Sequence, residues 1–498
     1  MKAKQFIITI FSLFILSGCA DFLDEKDQSN FTPENYFTKP EHAESIINAI
    51  YEDLRLGGVG GDYGGNPYFM TDFQTGLAGT KVGQNTHINN IRLLVNNADN
   101  GYSKSWWNTC YRAIANANMA IEKIPGIEMD ETLKAQYLGE AYFFRAYNYF
   151  NLIRIFGHIP LILSPVDASS SQLYPMQEKP EVVYDQIVKD LVEAEKAGLD
   201  WVNEGGRVNQ AAVKSVLAEV YLTMAGYPMT DGSDYYQLSA AKAKEVIDHG
   251  DYYLFDDYSS LHSLEYENKG EHIFMIQYQS GIVENPFQSL YLPYNLDVSF
   301  YSTETGSVYA MNEFIDSYED GDKRIENEEF YYDEYTSNKN RTDTLNLGAY
   351  YIYKFFDTDA NLNTAKSSLN YPLIRYAEVL LMFAEASNEV SDSPSDDAFL
   401  YLNKIRERAN LEDLSGLTKN EFRKAVWKEQ YYELAFENKV WFNMVRIRKV
   451  LNLRTGNFDD YVGHEFVSGP VLTERELLFP IPTSEINNNK NLVQNTGY

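Results

Sequence analysis

Among all the residues, Cys19 has the surroundings that most plainly specify a reaction. Lys2 and Lys4 precede an apolar run from Phe6 to Leu16, broken by Thr9 and Ser12, and Leu16-Ser17-Gly18-Cys19 closes it. Spanning a bilayer takes roughly 20 residues, so this run is too short to cross one and suits the core of an export signal. The pattern is that of a bacterial lipoprotein signal. Residues 1–18 are then expected to be removed as a signal peptide, with the Cys19 thiol acylated at the start of the mature chain. Acyl chains contribute about 0.8 kcal/mol per buried CH₂, and several on one cysteine hold a protein at a membrane.

Other chemistry is harder to assemble. Cys110 is the only further cysteine, so with Cys19 acylated no intrachain disulfide and no cysteine-based metal site can form. Its aromatic surroundings suit a small buried apolar residue. His464-Glu465-Phe466-Val467-Ser468 begins like a zinc-protease helix but has serine where the second histidine is needed. Asp316 to Asp322 is acidic and holds Gly321, yet Tyr318 interrupts the alternating oxygen ligands of a calcium loop. Neither a Gly-x-Ser-x-Gly elbow nor a phosphate-binding glycine loop occurs. With 72 acidic residues, some carboxylate pair will always suggest glycosidase chemistry, so that signal has little specificity. The expectation is no catalytic site, no metal and no cofactor.

The net charge of −30 excludes a phosphate-backbone binder, which needs basic patches. Nucleic acid is therefore not an expected partner, and a neutral ligand or a basic one fits better.

The elements that must position any site are mostly helices. Apolar residues at helical spacing run over Glu41–Arg55, Trp106–Ile124, Leu133–Phe156, Glu181–Ala197, Asn209–Ala225 and Leu238–Asp248, then over Leu373–Val390, Ser395–Ala409, Lys419–Asn438 and Trp441–Leu451. Three of them share a pattern. Glu140, Glu219 and Glu378 each follow a small residue and precede an alanine by six positions, at Ala146, Ala225 and Ala384. Small residues so placed let helices approach closely, which predicts stacked helix pairs of the tetratricopeptide kind, interrupted by insertions. The insertions are about 56–102, glycine-rich with scattered aromatics, and about 252–371, rich in Tyr, Asn, Asp and Gly. Within the second, Ile273–Tyr278 and Tyr350–Phe356 read as short strands. Loops this long are usually functional or disordered, and the aromatic content argues for order.

From Cys19 to Tyr498 the chain resembles the SusD/RagB outer-membrane lipoproteins of Bacteroidetes. Phe22-Leu23-Asp24 follows the cysteine, and Ala115-Asn116-Ala117-Asn118 centres a second block. Glu140 to Tyr147, running on to Phe156-Gly157-His158-Ile159-Pro160-Leu161, resembles the best-known one. Arg375 to Leu381, Asn403 to Ala409 and Phe479-Pro480-Ile481-Pro482 with Gln494 to Tyr498 complete the series. Asp320 to Arg324 is similar to a structural turn of the family. Departures are Thr496 in place of proline, and Asn438, Val440 and Asn443 in place of glycine, arginine and aspartate, which removes a structural ion pair rather than a ligand site.

The resemblance implies an all-α fold: a tetratricopeptide-like helix-pair stack covered on one face by an irregular, loop-rich subdomain with a few short strands, residues 19–498 making one SusD-like domain. It also implies a glycan ligand, a SusC-like TonB-dependent transporter as partner, and attachment through the lipid alone to an outer membrane, facing the cell exterior. Sugars present flat C–H faces to aromatic rings and hydroxyls to polar side chains, and a tyrosine offers both. Most of the 39 Tyr, 28 Phe and 5 Trp must serve packing. The glycan-binding candidates are those on the insertions: Tyr63, Tyr68, Phe69, Tyr291, Tyr294 and Tyr301, with Asp72, Gln74, Asn85, His87 and Asn295 as polar companions. Two other readings stay open: a helical-repeat scaffold that binds protein or peptide, and a carboxylate-pair glycoside hydrolase.

Overall fold

The computed structural model describes residues 36–56, 65–167, 170, 173–230, 232–336 and 343–498. Cys19 and Tyr63 lie outside them. The longer helices are α1 (Pro40–Asp53), α2 (Gly101–Lys123), α3 (Glu131–Phe156), α4 (Pro180–Glu195) and α5 (Gln210–Ala225), then α6 (Ser233–His249), α7 (Tyr376–Val390), α8 (Asp396–Arg408), α9 (Lys419–Leu434) and α10 (Val440–Ile447). Each packs on the next from α1 through α8, and α9 also packs on α7. The α6–α7 contact bridges the second insertion, so the stack resumes where the sequence had been interrupted. The molecule is mostly helical with small antiparallel sheets, as the sequence implied.

Local signals start these helices where the periodicity predicts. Asp130, Asn209 and Ser395 each accept a backbone N–H from the first turn of α3, α5 and α8. Thr418 and Glu421 form a reciprocal capping box on α9. The small residues act as expected: a Cβ added at Gly139 in α3 would run into Ala197, just past α4, and Ala146 and Ala384 are fully buried. The three patterned glutamates are tied into the stack by cations. Glu140 meets Arg207 at 2.9 Å, Glu219 meets Arg154 at 2.5 Å, and Glu378 meets Lys439 at 2.8 Å.

A buried ionic cluster fastens the second insertion to the last helices. Arg375 reaches Glu271, Glu433 and Glu437 at 2.5, 3.1 and 2.7 Å. Arg408 shares Glu271 and Glu433, and Arg324 joins Asp322 to Glu429. The turn from Asp320 to Arg324 is thus structural, with the Arg324 side chain fully buried. Asn438 adopts φ 59°, a left-handed geometry that asparagine tolerates better than most residues.

Two differences from the sequence reading matter. The 56–102 insertion is not open loop: it carries short helices at Met70–Phe73 and Thr86–Arg92, and α2 begins at Gly101 rather than Trp106. The second insertion holds a four-stranded antiparallel sheet in the order Ala78–Gly79, Tyr309–Ala310, Leu345–Ile352, Tyr331–Tyr335, so it recruits its edge from the first. A separate pair, His272–Ile276 with Tyr371–Arg375, leads straight into α7. One extensive core runs through the helices. A second, smaller cluster under the sheet is built from Leu292, Val298, Tyr332, Tyr335, Leu347, Tyr351, Tyr353 and Phe356 among others.

Candidate functional site

The candidate residues separate into an inner and an outer group. Tyr68, Phe69, Asp72, Gln74, Asn85 and Tyr291, ligand candidates by sequence, are instead buried within the fold, where they pack or cap. The segment Pro67–Phe73 folds inward as two short helical turns, which carries its rings into the main core. Tyr68 donates its hydroxyl to the Leu54 carbonyl, and its ring packs against Trp106, Phe287 and Tyr371. Phe69 lies among Phe73, Phe287 and Tyr291, and Tyr291 stacks on Phe355 at 5.0 Å. Asn85 caps the Thr86–Arg92 helix by accepting the Ile88 N–H at 3.1 Å. Burial pushes the Asp72 carboxyl up to about 8, opposed by a backbone N–H from Asn438 and by the charge of Lys354. His87, half-buried, accepts the Gly101 N–H through Nδ1 at 3.2 Å and so helps start α2.

The outer group sits on one loop, 292–306, standing on the small tyrosine-rich cluster. Tyr294 is 47 % exposed, Tyr301 52 % and Phe300 37 %; Asn295 is exposed as well. Rings on a polar surface need something to hold them out, and here it is Glu304. Its buried carboxylate accepts the backbone N–H groups of Leu296, Asp297 and Ser299 at 2.6, 2.9 and 2.7 Å. Asn295 and Asp297, at φ 50° and 55°, provide the left-handed turns that aim those N–H groups inward. The far side is pinned where the Ser299 hydroxyl and the Phe300 N–H both donate to the Asn361 carbonyl, at 2.8 and 3.1 Å. From beneath, the Tyr351 hydroxyl accepts the Tyr294 backbone N–H.

The structure adds two residues that sequence reasoning missed, Lys81 and Tyr309. Lys81 is bound to the loop through its N–H on the Gly306 carbonyl at 2.9 Å. Gly306 has φ 60°, and a Cβ there would meet the Cβ atoms of Tyr294 and Lys81 at 2.8 and 3.1 Å, so those side chains leave the surface side by side. The Lys81 ammonium lies 5.1 Å from the Tyr309 ring centre, and that ring covers the backbone of Gly79, where no Cβ would fit. A lysine between glycines in Gly79-Thr80-Lys81-Val82-Gly83 was the available signal.

This surface offers exposed rings, one amide and one ammonium on a braced loop. Chemically it can stack on a flat apolar face and donate hydrogen bonds; it presents no paired acid and base. Among the described residues no group of three or more His, Cys, Asp or Glu side chains is placed to hold a metal ion. Elsewhere, a cavity of about 630 Å³ between α3, α5, α10 and the C-terminal segment shares none of these residues.

Two family profiles match the chain: one described as the SusD family over residues 227–498, and one described as starch-binding associating with outer membrane over residues 21–222. SusD-like protein P2 of Formosa agariphila is 29% identical, the match covering 99% of this chain and all of that protein. The crystal structure of a SusD superfamily protein from Parabacteroides distasonis superposes with a TM-score of 0.89 at 36% identity, covering 94% of this chain and 100% of that one. Surface glycan-binding protein A from Bacteroides uniformis shares the fold, with a TM-score of 0.75 at 21% identity over 91% of this chain and 99% of its own. Likeness of this extent, in sequence and in fold together, makes the chain a member of the SusD family.

Proposed function

We propose that the protein captures a neutral oligosaccharide or polysaccharide on the 292–306 loop and passes it to a SusC-like TonB-dependent transporter. The observation that carries this reading is the braced loop: three exposed rings on a segment whose backbone N–H groups converge on one buried carboxylate. A ring that is already fixed loses little freedom when a sugar stacks on it, so the contact energy is not consumed in ordering the loop. Tyr294 and Tyr301 supply the stacking faces, Asn295 and Lys81 the hydrogen bonds to hydroxyls. Members of the family bind glycans without catalysis, and the name of the Bacteroides uniformis protein is consistent with that use of the fold.

In this reading, residues 1–18 are removed, Cys19 carries the lipid, and residues 19–498 face the cell exterior from the outer membrane. Among the described residues no helix is long and apolar enough to cross a membrane; attachment through the acylated cysteine rests on the Leu16-Ser17-Gly18-Cys19 pattern. Screening the chain without residues 1–18 on a glycan array tests the proposal. Neutral oligosaccharides should register, and should be lost from Tyr294→Ala/Tyr301→Ala. A blank array together with peptide capture would instead favour the helical-repeat scaffold.

A further inference from the structure

The 630 Å³ cavity is walled by Ile153, Tyr184, Tyr227, Phe442 and Leu478, an apolar lining at the scale of a small-ligand pocket. Four arginines also line it, Arg154, Arg446, Arg448 and Arg475, against one carboxylate, Glu474. Three of the arginines are already answered. Arg154 holds Glu219, Arg446 makes a two-pronged pair with Glu385 at 2.7 and 2.8 Å, and Arg475 binds the Leu94 and Asn96 carbonyls.

Arg448 is not. Its Nη1 is buried with no hydrogen-bond partner among the described residues, as is the Nε of Arg475, and Glu474 is the carboxylate whose charge acts on the Arg448 guanidinium. What it does have is a ring: the guanidinium lies 5.2 Å from the centre of Tyr227. That arrangement is built, not incidental to a mobile tip. Arg448 takes the left-handed geometry, φ 55°, that ends α10, and Tyr227 is fixed by its N–H on the Arg446 carbonyl at 2.8 Å. Burial holds the Arg448 guanidinium below its ordinary value. Arg446, also withdrawn from water, is raised because Glu385 answers its charge. A buried guanidinium N–H without an acceptor is a position that a ligand oxygen would fill at a net gain.

We infer that this cavity is a second binding site, separate from the loop surface, for a carboxylate carried on an apolar or aromatic body, with Arg448 taking the carboxylate and Tyr227 and Phe442 the body. The same chemistry could arrive as a free aromatic acid or as the C-terminal end of a short peptide. Both are therefore used as probes.

The test is calorimetric titration of the chain without residues 1–18 with 3-phenylpropanoate, with N-acetyl-Phe-Phe, and with the neutral amide of each. Saturable binding is expected for at least one acid, with its amide at least tenfold weaker, and the stronger acid identifies the source. Arg448→Gln should weaken that acid at least tenfold, about 1.4 kcal/mol. Its melting temperature, and its response to a glycan bound by the wild type, should be unchanged. Arg448→Lys, which keeps the charge but not the planar fork, should retain part of the affinity. No binding of either acid up to millimolar concentration, acid and amide binding alike, or full affinity in Arg448→Gln would each overturn the inference. Because the glycan response is read in the same variants, failure here is distinguishable from failure of the loop proposal.

Discussion

Residue type alone does not say which tyrosines work at the surface. Tyr68 and Tyr301 both belong to aromatic, glycine-flanked stretches, yet Tyr68 is 4 % exposed and Tyr301 52 %. What separates them is long-range: Tyr68 meets Trp106 and Tyr371, which are distant in sequence and invisible to a local pattern. Tyr68→Ala is expected to cost about 3–5 kcal/mol, as for other large buried rings. Tyr301→Ala should stay within about 0.5 kcal/mol of wild type, as surface changes do. Urea unfolding curves decide it, and equal costs would contradict the assignment of Tyr301 to the surface. Asp72 makes a sharper case. Its carboxyl titrates near 3.9 in an unfolded chain but is raised by burial to about 8 in the fold. Between those values the folded state keeps a proton that the unfolded state has released. Its contribution to stability is therefore fully present below about 3.9 and lost as pH rises toward 8. Asp72→Asn, which keeps the oxygen that receives the Asn438 N–H, should accordingly gain melting temperature over wild type steadily from pH 5 to pH 8. A difference that does not move with pH would show that Asp72 is not held protonated.

At the scale of elements, the helices were legible, and so in part were the strands at His272–Ile276 and Leu345–Ile352, whereas the folding of the insertions around them was not. Periodicity located α3, α5 and α9 to within a few residues because each has a cap and an apolar face that a local window contains. The 292–306 loop depends on Glu304, whose role is set by three N–H groups that only a folded loop brings together. Likewise Lys81 reaches the site through strand pairing between Ala78–Gly79 and Tyr309–Ala310, which are over 200 residues apart. Tyr294, Asn295 and Tyr301 could be named from sequence; their bracing and their neighbour could not. Glu304→Ala leaves those N–H groups without an acceptor, so the loop should loosen while the helical stack stays folded. Faster amide exchange confined to Leu296, Asp297 and Ser299, with weaker glycan binding despite intact rings, is the expected result. Unchanged exchange at those amides would mean that the loop is held by other contacts.

Seen whole, the molecule keeps a strongly acidic surface and places a small patch of rings on one insertion. Family membership accounts for the stack and for the association with an outer membrane; attachment through Cys19 is a separate proposal with its own check. Cys19→Ala should leave the protein in the soluble fraction and free of incorporated labelled palmitate, whereas equal labelling of variant and wild type would contradict lipidation at that residue. The net charge of −30 also shapes the expected ligand. A contact between charges is screened over about 10 Å at 0.1 M salt and weakens as salt rises, while stacking of a neutral sugar on a ring does not. Capture on an open surface should also be modest in strength, which suits the proposed transfer of cargo to a transporter. The most direct measurement is calorimetric titration of the chain without residues 1–18 with the best oligosaccharide from the array, at low and at high salt, beside Tyr294→Ala/Tyr301→Ala. The account predicts an affinity that barely changes with salt and is lost in the double variant with the fold intact; strong salt dependence, or undiminished affinity in the double variant, would contradict it.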